Sequence, residues 1–555
     1  MGALFLFLAF GFLSPNPFGN NPDVIADESY FLTSSLSAIE KGTLPGWEFS
    51  RSGNYYGGVQ TYLDTAVLVP VLGVVFVSQH FSVLQTKMWV ALHTGDLLHI
   101  LRLLNGLCAL LLIAGGYIYF VRRKIPAELA FVLILFVALL LSNVFVIEFL
   151  HTAKVWTFYT LAAVLASSLF IAEQYYLSKK GEPFLPTPVY VGILSWLSAL
   201  LFFQNYIGAF AVLIIGLYAL ILQHIRFYDI WLHVRKYWYL FILLFVSQIS
   251  FLYRAVFFNW KSGSFDEIAV VTSDHHAVWL PRLLNPLRFS VLGDPLVVFL
   301  FFAGIVGAAV LLWRGRYTLR SLNRRYLLIA CVHPFIIYLF FHVAVGFSSA
   351  PRYGLMLTIA CAFSAAILIS ECALWARGAS LALAAALFVV LNIQAISLYS
   401  QPSSEVDLLR IIETRYNTPN HVFIEEESAL RLTLPVNADS LDLLDDKRKA
   451  MSRFAFMLEH KDEVKRAVTF KPLTLIAYTD EEFQDAFSRF SAEGKQVWTI
   501  SQDCSRTCAS EDTAAGTCFM VGKNVCGALA HEVNLLPAYL EARQLGALYT
   551  VRRVH

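Results

Sequence analysis

An adjacent pair of carboxylic acids, Asp27 and Glu28, lies near the start of the chain within the sequence NPDVIADESYFLTSSLSAIEKG. A carboxylate held at a membrane surface can act as a general base or bind a metal ion. Acidic residues are also favoured in the first turn of a helix, which is the structural alternative. The pair therefore predicts proton transfer or ion binding if it faces a site, and a helix start if it does not.

Basic residues that suit a phosphate group occur at two places. Arg352 and Tyr353 stand in SSAPRYGLML at the start of an apolar run, and Arg102 stands at the start of another. The planar guanidinium group matches the geometry of phosphate oxygens. The alternative is that each Arg anchors a helix end at the membrane boundary.

A third group, Glu148, His151 and Lys154, lies in VIEFLHTAKVW between two apolar runs. Ionisable residues near the hydrocarbon boundary are functional candidates, although an interfacial ion-pair cluster explains them as well. The segment 258–289 adds further acids and imidazoles that suit a metal or acid–base chemistry, or a polar surface loop: Asp266, Glu267, Asp274, His275 and His276. The sequence contains no P-loop, zinc-protease, nucleophile-elbow or dinucleotide motif.

The elements that must position these residues are apolar. Of the 555 residues, 57% are hydrophobic and only 15% are charged, whereas roughly a quarter of a soluble domain is charged. The net charge of +2 and the lack of a basic, aromatic-interleaved stripe argue against nucleic acid as a partner. Membrane lipid is therefore the expected surroundings of this chain.

Apolar runs long enough to span a bilayer predict about eleven transmembrane helices, since a span needs roughly 20 residues. These runs are 2–18, 97–120, 127–149, 155–174, 188–203, 207–222, 238–257, 290–313, 326–346, 353–375 and 380–398. Every second connection is short and rich in Lys and Arg, which places it in the cytoplasm. The N-terminus is then cytoplasmic, and the tail lies outside. No Asn-x-Ser/Thr acceptor occurs, which favours a bacterial or archaeal membrane.

Residues 63–79 are also apolar enough to span, but a span here would reverse the orientation of all the basic connections. We therefore predict a re-entrant or juxtamembrane element within an outer loop at 19–96. Pro70 and Gly73 fit an irregular segment that packs on protein. The predicted transmembrane domain is 1–399, with a second outer loop at 258–289.

The tail, 400–555, predicts a small extracytoplasmic α/β domain. Helical periodicity covers 405–417 and 480–492, and strand patterns occur at 421–426, 473–478, 497–501 and 546–552. Strands that alternate with helices predict a parallel or mixed sheet. Four cysteines of the tail predict two disulfides in an oxidising compartment, with a four-cysteine zinc site as the alternative: Cys504, Cys508, Cys518 and Cys526. Spacing does not choose among the three pairings.

These motifs, in this order, resemble the GT-C glycosyltransferases, in particular the bacterial relatives of protein O-mannosyltransferases and aminoarabinose transferases. The resemblance rests on Asp27-Glu28-Ser29-Tyr30 after the first span, on Arg102 in LRLLNGLCALLL, and on Arg352-Tyr353 late in the chain. Two positions depart from the family. Lys154 stands where many relatives have Arg, without the following Asp, and NYYGGVQTY replaces a Pro-Pro motif.

The resemblance implies a GT-C-like fold and an enzyme that takes sugar from a polyprenyl-phosphate carrier, inverting its anomeric centre. It implies Asp27 as base, a phosphate site, and residues that meet the acceptor, which would be a protein, lipid or glycan. The phosphate site would comprise Arg352, Tyr353, Lys154 and Arg102, and the acceptor residues would be Tyr30, Glu148 and His151. A divalent metal (Mg, Mn or Zn) on Glu28, His275 and His276 is the implied cofactor. The alternatives are a transporter or flippase, a non-catalytic assembly subunit, and another membrane enzyme of lipid-linked glycans, such as a polymerase or ligase.

Overall fold

The computed structural model of the protein describes the following residues. Before residue 400 they are 28–43, 58–122, 124–143, 156–186, 295–314, 322–339 and 354–399, with isolated positions between 146 and 287. In the tail they are 404–426, 434–449, 452–477, 479–501, 516–521 and 549–554, with 508 and 513.

Helices account for most of the described chain before residue 400. They are α1 (Glu28–Lys41), α2 (Gly58–Ser78), α3 (Val83–Leu92), α4 (Thr94–Arg122), α5 (Ala127–Leu141), α6 (Trp156–Lys180), α7 (Pro295–Trp313), α8 (Leu322–Ile337), α9 (Leu355–Ser370) and α10 (Leu374–Tyr399). By length and composition, four stretches within the described residues can cross a membrane: Gln60–Ser78, Thr160–Lys180, Pro295–Trp313 and Leu374–Leu391. The chain is thus mostly helical, with the apolar helices of an integral membrane protein.

Most of the predicted spans coincide with these helices. Those at 97–120, 127–149, 155–174, 290–313, 326–346, 353–375 and 380–398 each fall on one of α4 to α10. The spans at 2–18, 207–222 and 238–257 lie outside the described residues, and 188–203 is described only in part. The total of eleven and the orientation of the termini therefore stay predictions.

The segment 63–79 differs from its prediction. It belongs to one continuous helix, α2, with Pro70 inside it, rather than to an irregular segment. Proline is tolerated in long apolar helices because neighbouring groups satisfy the carbonyl that it leaves without a donor. Its placement in an outer loop stays a prediction.

Helix α9 is the centre of the helical part. All its residues from Leu355 to Ile369 are buried, as expected for a helix that is apolar all round. The ring of Phe363 lies 6.3 Å from Phe136 of α5, 5.8 Å from Phe170 of α6 and 5.1 Å from His333 of α8. On α7, a Cβ placed on Gly304 would lie 2.6 Å from the Cβ of Leu368, so glycine permits the close approach of α7 and α9.

The tail forms a five-stranded mixed sheet with strand order β2-β1-β3-β5-β4. The strands are β1 (His421–Glu426), β2 (Leu473–Ala477), β3 (Gln496–Ser501), β4 (Cys518–Val521) and β5 (Tyr549–Arg553). The β2-β1-β3 pairs are parallel, whereas β5 runs antiparallel to β3 and β4. The predicted strands at 421–426, 473–478, 497–501 and 546–552 agree with β1, β2, β3 and β5. The sequence did not predict β4.

Helices pack on both faces of the sheet. Helix α11 (Ser404–Arg415) buries Leu408 and Ile412 against Phe423 and Trp498 on one face. On the other face, α15 (Asp480–Ala492) buries Phe490 against Val422 and Val497 of the sheet. The hydroxyl group of Thr479 accepts a hydrogen bond from the amide of Glu482 and so caps the start of α15. Both helices agree with the predicted helices at 405–417 and 480–492.

A third apolar cluster joins the tail to an early part of the chain. It includes residues of three short elements between β1 and β2: a 3₁₀ turn (Ser440–Leu443), α13 (Ser452–Glu459) and α14 (Lys461–Ala467). Helix α12 (Asp446–Lys449) lies between the turn and α13 and contributes no residue to the cluster. Met88 and Ala91 of α3 are buried in this cluster beside Leu441 and Met457. The Nε of Arg453 donates a hydrogen bond of 2.7 Å to the carbonyl of Ala91.

Residues 66–103 and 394–555 accordingly belong to one compact unit, which also includes 9–32. The other unit comprises 1–8, 33–65 and 104–393. The predicted transmembrane domain at 1–399 and the outer domain at 400–555 stay predictions.

Cys508 and Cys518 form a disulfide with a Cα–Cα distance of 5.7 Å. The bond ties the chain before β4 to the first residue of that strand. It agrees with the predicted disulfides and leaves two fewer thiolates for the alternative zinc site. Cys504 and Cys526 lie outside the described residues.

Candidate functional site

Most of the predicted site residues lie outside the described residues. These are Asp27, Glu148, His151, Lys154, His275, His276, Arg352 and Tyr353. Glu28 and Tyr30 lie in the first turn of α1, in agreement with the helix start that was the alternative explanation of the acidic pair. Arg102 lies in α4 and is 7% exposed, so it is buried rather than extended from a helix end. The predicted roles of all these residues stay predictions.

A buried polar network lies where α1, α2 and α4 meet. The Nε2 of Gln60 on α2 donates a hydrogen bond of 2.7 Å to Oδ1 of Asp64, one turn further along the same helix. The same nitrogen donates a hydrogen bond of 3.1 Å to Oδ1 of Asn105 on α4. Gln60, Asp64 and Asn105 are each 0% exposed. We call these three residues the helix network.

A further hydrogen bond ties α1 to the same part of α2. The hydroxyl group of Ser35 donates to the carbonyl of Thr61 over 3.2 Å, and both residues are buried. Ser35 lies two turns after Glu28 on α1. The helix that begins at the acidic pair is therefore fixed to α2 beside the helix network, which fixes α2 to α4 in turn.

Helix periodicity explains why α2 carries these polar groups on one side. Gln60, Thr61, Asp64 and Leu68 are all at most 2% exposed, and their spacing of one, three and four residues keeps them on one face. Further along the helix, Val74 and Val77 are 71% and 56% exposed. The first half of α2 thus buries polar groups, while its second half exposes apolar ones.

Sequence reasoning did not select Asp64, although the sequence contained a signal. Asp64 is the only Asp, Glu, Lys or Arg between Arg51 and Lys87. A single acid in a long uncharged stretch is costly to bury and is therefore a functional candidate. Gln60 and Asn105 gave no such signal, because uncharged amides are ordinary in any sequence.

Other buried ionisable groups have structural explanations. The Glu173 carboxylate on α6 accepts hydrogen bonds from the backbone amides of Phe184 (2.9 Å) and Leu185 (3.2 Å), so it holds the chain that follows α6. His333 packs edge-on against Phe363 inside the helical core. Within the described residues, no three His, Cys, Asp or Glu side chains group together as metal ligands do.

The chain matches no protein-family profile, and no curated protein matches it. Among solved structures, it is similar to the crystal structure of ArnT from Cupriavidus metallidurans in the apo state. The similarity covers 100% of this chain and 96% of that chain, at 12% sequence identity and a TM-score of 0.42. ArnT is an aminoarabinose transferase of the GT-C type, the group that the sequence motifs resemble. Because the identity and TM-score are low, the likeness assigns no residue roles here.

Proposed function

We propose that this protein is a membrane glycosyltransferase of the GT-C type. It moves a sugar from a polyprenyl-phosphate carrier to an acceptor hydroxyl group on the outer face of the membrane, with inversion at the anomeric carbon. The observation that carries the proposal is the helix network beside α1. Buried amides and a buried carboxylate are costly among apolar helices, and the hydrogen bonds between them hold α2 and α4 together. The Ser35 hydroxyl group fixes α1, the helix that begins at the acidic pair, to the same part of α2.

The proposed reaction is a direct displacement. Asp27 accepts the proton of the acceptor hydroxyl group as its oxygen attacks the anomeric carbon of the donor sugar. The bond between that carbon and the phosphate oxygen breaks, and the polyprenyl phosphate leaves with the electron pair. Arg352, Lys154 and Arg102 stabilise the negative charge that the leaving phosphate gains, with Tyr353 beside them.

The remaining predicted residues contact the acceptor or form a metal site. Tyr30, Glu148 and His151 bind or orient the acceptor molecule, and Glu28 with His275 and His276 is the proposed metal site. A lipid-linked donor fits a chain of apolar helices, because its polyprenyl tail lies in lipid while its phosphate stays at the membrane surface.

A transfer assay in membranes tests the proposal. Membranes that contain the protein receive a panel of radiolabelled polyprenyl-phosphate sugars, and label transferred to endogenous acceptors is measured. Replacing Asp27 with Asn removes the base and is expected to slow transfer about 10²- to 10⁴-fold. Arg352→Ala is expected to slow it as well, because the leaving phosphate loses a cation.

Glu40→Gln is the matched control, since it neutralises an acid at the opposite end of α1 from the acidic pair. It should transfer sugar at the wild-type rate. Transfer by Asp27→Asn at the wild-type rate, or no transfer of any sugar by the wild-type protein, would refute the catalytic assignment.

A transporter is the second candidate, and the observation that favours it is the buried carboxylate of Asp64. Asp64 on α2 is 0% exposed, and buried ionisable groups of this kind line proton or ion paths in transporters. Flux of lipid-linked sugar across reconstituted vesicles, without transfer to any acceptor, would favour this candidate over the enzyme.

A further inference from the structure

One end of the tail sheet carries aromatic and cationic side chains together. Four of these residues lie on strands: His421 at the start of β1, Trp498 on β3, Phe519 on β4 and Arg553 at the end of β5. The fifth, Tyr416, directly follows α11. We call these five residues the sheet-end cluster. Side chains alternate between the faces of a strand. His421 and Phe423 therefore lie on the same face of β1. Tyr549, Val551 and Arg553 likewise share one face of β5. Because Tyr549 and Val551 pack with Phe423 and Trp498, all these residues lie on the same face of the sheet.

The aromatic members form a continuous group. The rings of Tyr416 and Phe519 are stacked, with centroids 5.7 Å apart and planes inclined by 3°. Tyr416 also lies 4.8 Å from the ring of Trp498 and 5.3 Å from that of His421. Trp498 is buried, whereas Tyr416, His421 and Phe519 are half-buried. Part of this aromatic surface is therefore accessible from outside the domain.

The hydrogen bond between Trp498 and His421 fixes how the imidazole is protonated. The indole Nε1 donates to Nδ1 of His421 over 3.2 Å, so Nδ1 is an acceptor and the proton of the neutral ring resides on Nε2. Burial and the nearby Arg553 hold the pKa of His421 below its ordinary value. His421 therefore presents an N–H donor at neutral pH.

Arg553 supplies a permanent positive charge beside this donor. It lies directly opposite Trp498 in the antiparallel pair of β3 and β5, where side chains on one face are neighbours. Its Nε is buried and has no hydrogen-bond partner within the described part of the chain. A buried donor without a partner is costly and calls for an explanation, and a ligand that accepts the hydrogen bond is one.

We propose that the sheet-end cluster is a binding site for a sugar that carries a negatively charged group, such as a uronic acid or a sugar phosphate. The guanidinium group of Arg553 and Nε2 of His421 bind the anion, because a charged donor fork suits carboxylate and phosphate oxygens. The half-buried rings of Tyr416 and Phe519 contact the apolar face of the sugar ring. That the ligand is a sugar rests on the proposed function, whereas the anion follows from the side chains alone.

Binding is tested on the full-length protein in phosphatidylcholine nanodiscs, with no lipid-linked donor present. Saturation-transfer NMR titrations use glucuronic acid, glucose 1-phosphate and glucose, and ³¹P line broadening follows inorganic phosphate. The first two probes should bind at least about tenfold more tightly than glucose or phosphate alone. Arg553→Gln should weaken their binding about tenfold or more, because a charge-assisted hydrogen bond is lost. Preference between the first two probes distinguishes a carboxylate ligand from a phosphate ligand.

Two variants separate the parts of the site. Tyr416→Leu should weaken the two anionic sugars and leave inorganic phosphate unchanged. Arg552→Gln is the matched control, because Arg552 is exposed on the opposite face of the same strand; its binding should equal that of the wild type. Should Arg553→Gln fail to fold, Arg553→Lys keeps the charge without Nε and should still bind more weakly.

Equal binding of glucose and glucuronic acid overturns the proposal, as does unchanged binding in the folded Arg553 variant. The assay involves no transfer, so its result is independent of the transfer assay. If the anionic sugars bind but no sugar is transferred, the binding site is supported and the glycosyltransferase proposal is refuted. If sugar is transferred but the anionic sugars do not bind, the glycosyltransferase proposal is supported and the binding site is refuted.

Discussion

The helix network and the sheet-end cluster both gather polar side chains from different elements, but they differ in access to water. Gln60, Asp64 and Asn105 are 0% exposed among apolar helices, whereas His421 and Arg553 are half-buried at the end of a sheet. Where water is excluded, every hydrogen bond holds the fold, because a group left without its partner cannot turn to solvent. At the half-buried sheet end, the fold leaves the Arg553 Nε without a partner among the described residues, so its hydrogen bonding contributes little to the fold.

The largest effect on stability is expected from Gln60→Leu. The change removes the donor to both Asp64 and Asn105 and leaves two buried acceptors without it, at a cost of about 1–3 kcal/mol. Thermal unfolding of the detergent-solubilised protein measures the loss. Gln85→Leu, at an exposed position of α3, should change stability by less than about 0.5 kcal/mol. Equal unfolding temperatures for the two variants would contradict the role of the helix network.

Trp498→Phe is expected to have a smaller effect. It keeps an aromatic ring in the core of the tail but removes the hydrogen bond to His421, which should cost about 0.5–1.5 kcal/mol. Pulse proteolysis of the tail in urea, applied to the full-length protein, measures its free energy of unfolding. A loss above about 1.5 kcal/mol would show that access to water does not distinguish the two regions.

Lowering the pH is expected to destabilise the tail through His421. Burial and Arg553 lower the pKa of this imidazole from its ordinary value of 6.5. Between the lowered and the ordinary pKa, the unfolded chain binds more protons than the folded one. The contribution of His421 to stability is therefore complete above pH 6.5 and declines as the pH falls below it. Pulse proteolysis across this range should show the decline in the wild type and a smaller decline in His421→Gln.

The smallest effect is expected from Arg553→Gln. The variant removes a buried Nε that has no partner among the described residues, so the free energy of unfolding should stay within about 0.5 kcal/mol of the wild type or rise slightly. Residues that are placed to bind a ligand often lower the free energy of unfolding of the ligand-free protein. A loss above about 1.5 kcal/mol, measured by the same proteolysis, would assign Arg553 to the fold instead of to a ligand.

Local patterns in the sequence predicted much of the fold. The sequence HVFIEE forms β1 at its predicted residues, and the amphipathic pattern at 480–492 forms α15. Strand β4 escaped prediction because its four residues are too few for a clear alternation. Pro70 predicted a break in α2, yet the helix continues through this residue. The surroundings of Pro70, rather than the local preference of proline, determine the backbone conformation there.

The sequence did not predict the helix network, because its residues are far apart along the chain. Its hydrogen bond between Gln60 and Asn105 joins residues 45 positions apart. Both amides lie in stretches that the sequence comparison used, NYYGGVQTY and LRLLNGLCALLL, but neither was assigned a role there. The sheet-end cluster is similar, since His421 and Trp498 are 77 positions apart. Of the predicted site, the helix start at Glu28 and the burial of Arg102 are now described, while the residues assigned to proton transfer and phosphate binding lie outside the described part.

The packing of α3 against the tail has a consequence for the time course of biosynthesis. Arg453 and its hydrogen-bond acceptor, the Ala91 carbonyl, are separated by 362 positions. At a synthesis rate of roughly 5–20 residues per second, the part of the tail that packs against α3 is synthesised on the order of 20–70 s after α3 itself. During that interval, the apolar side chain of Met88 has no native surface to cover it. A chain that stops before the tail would therefore leave α3 without the residues that bury Met88 and Ala91.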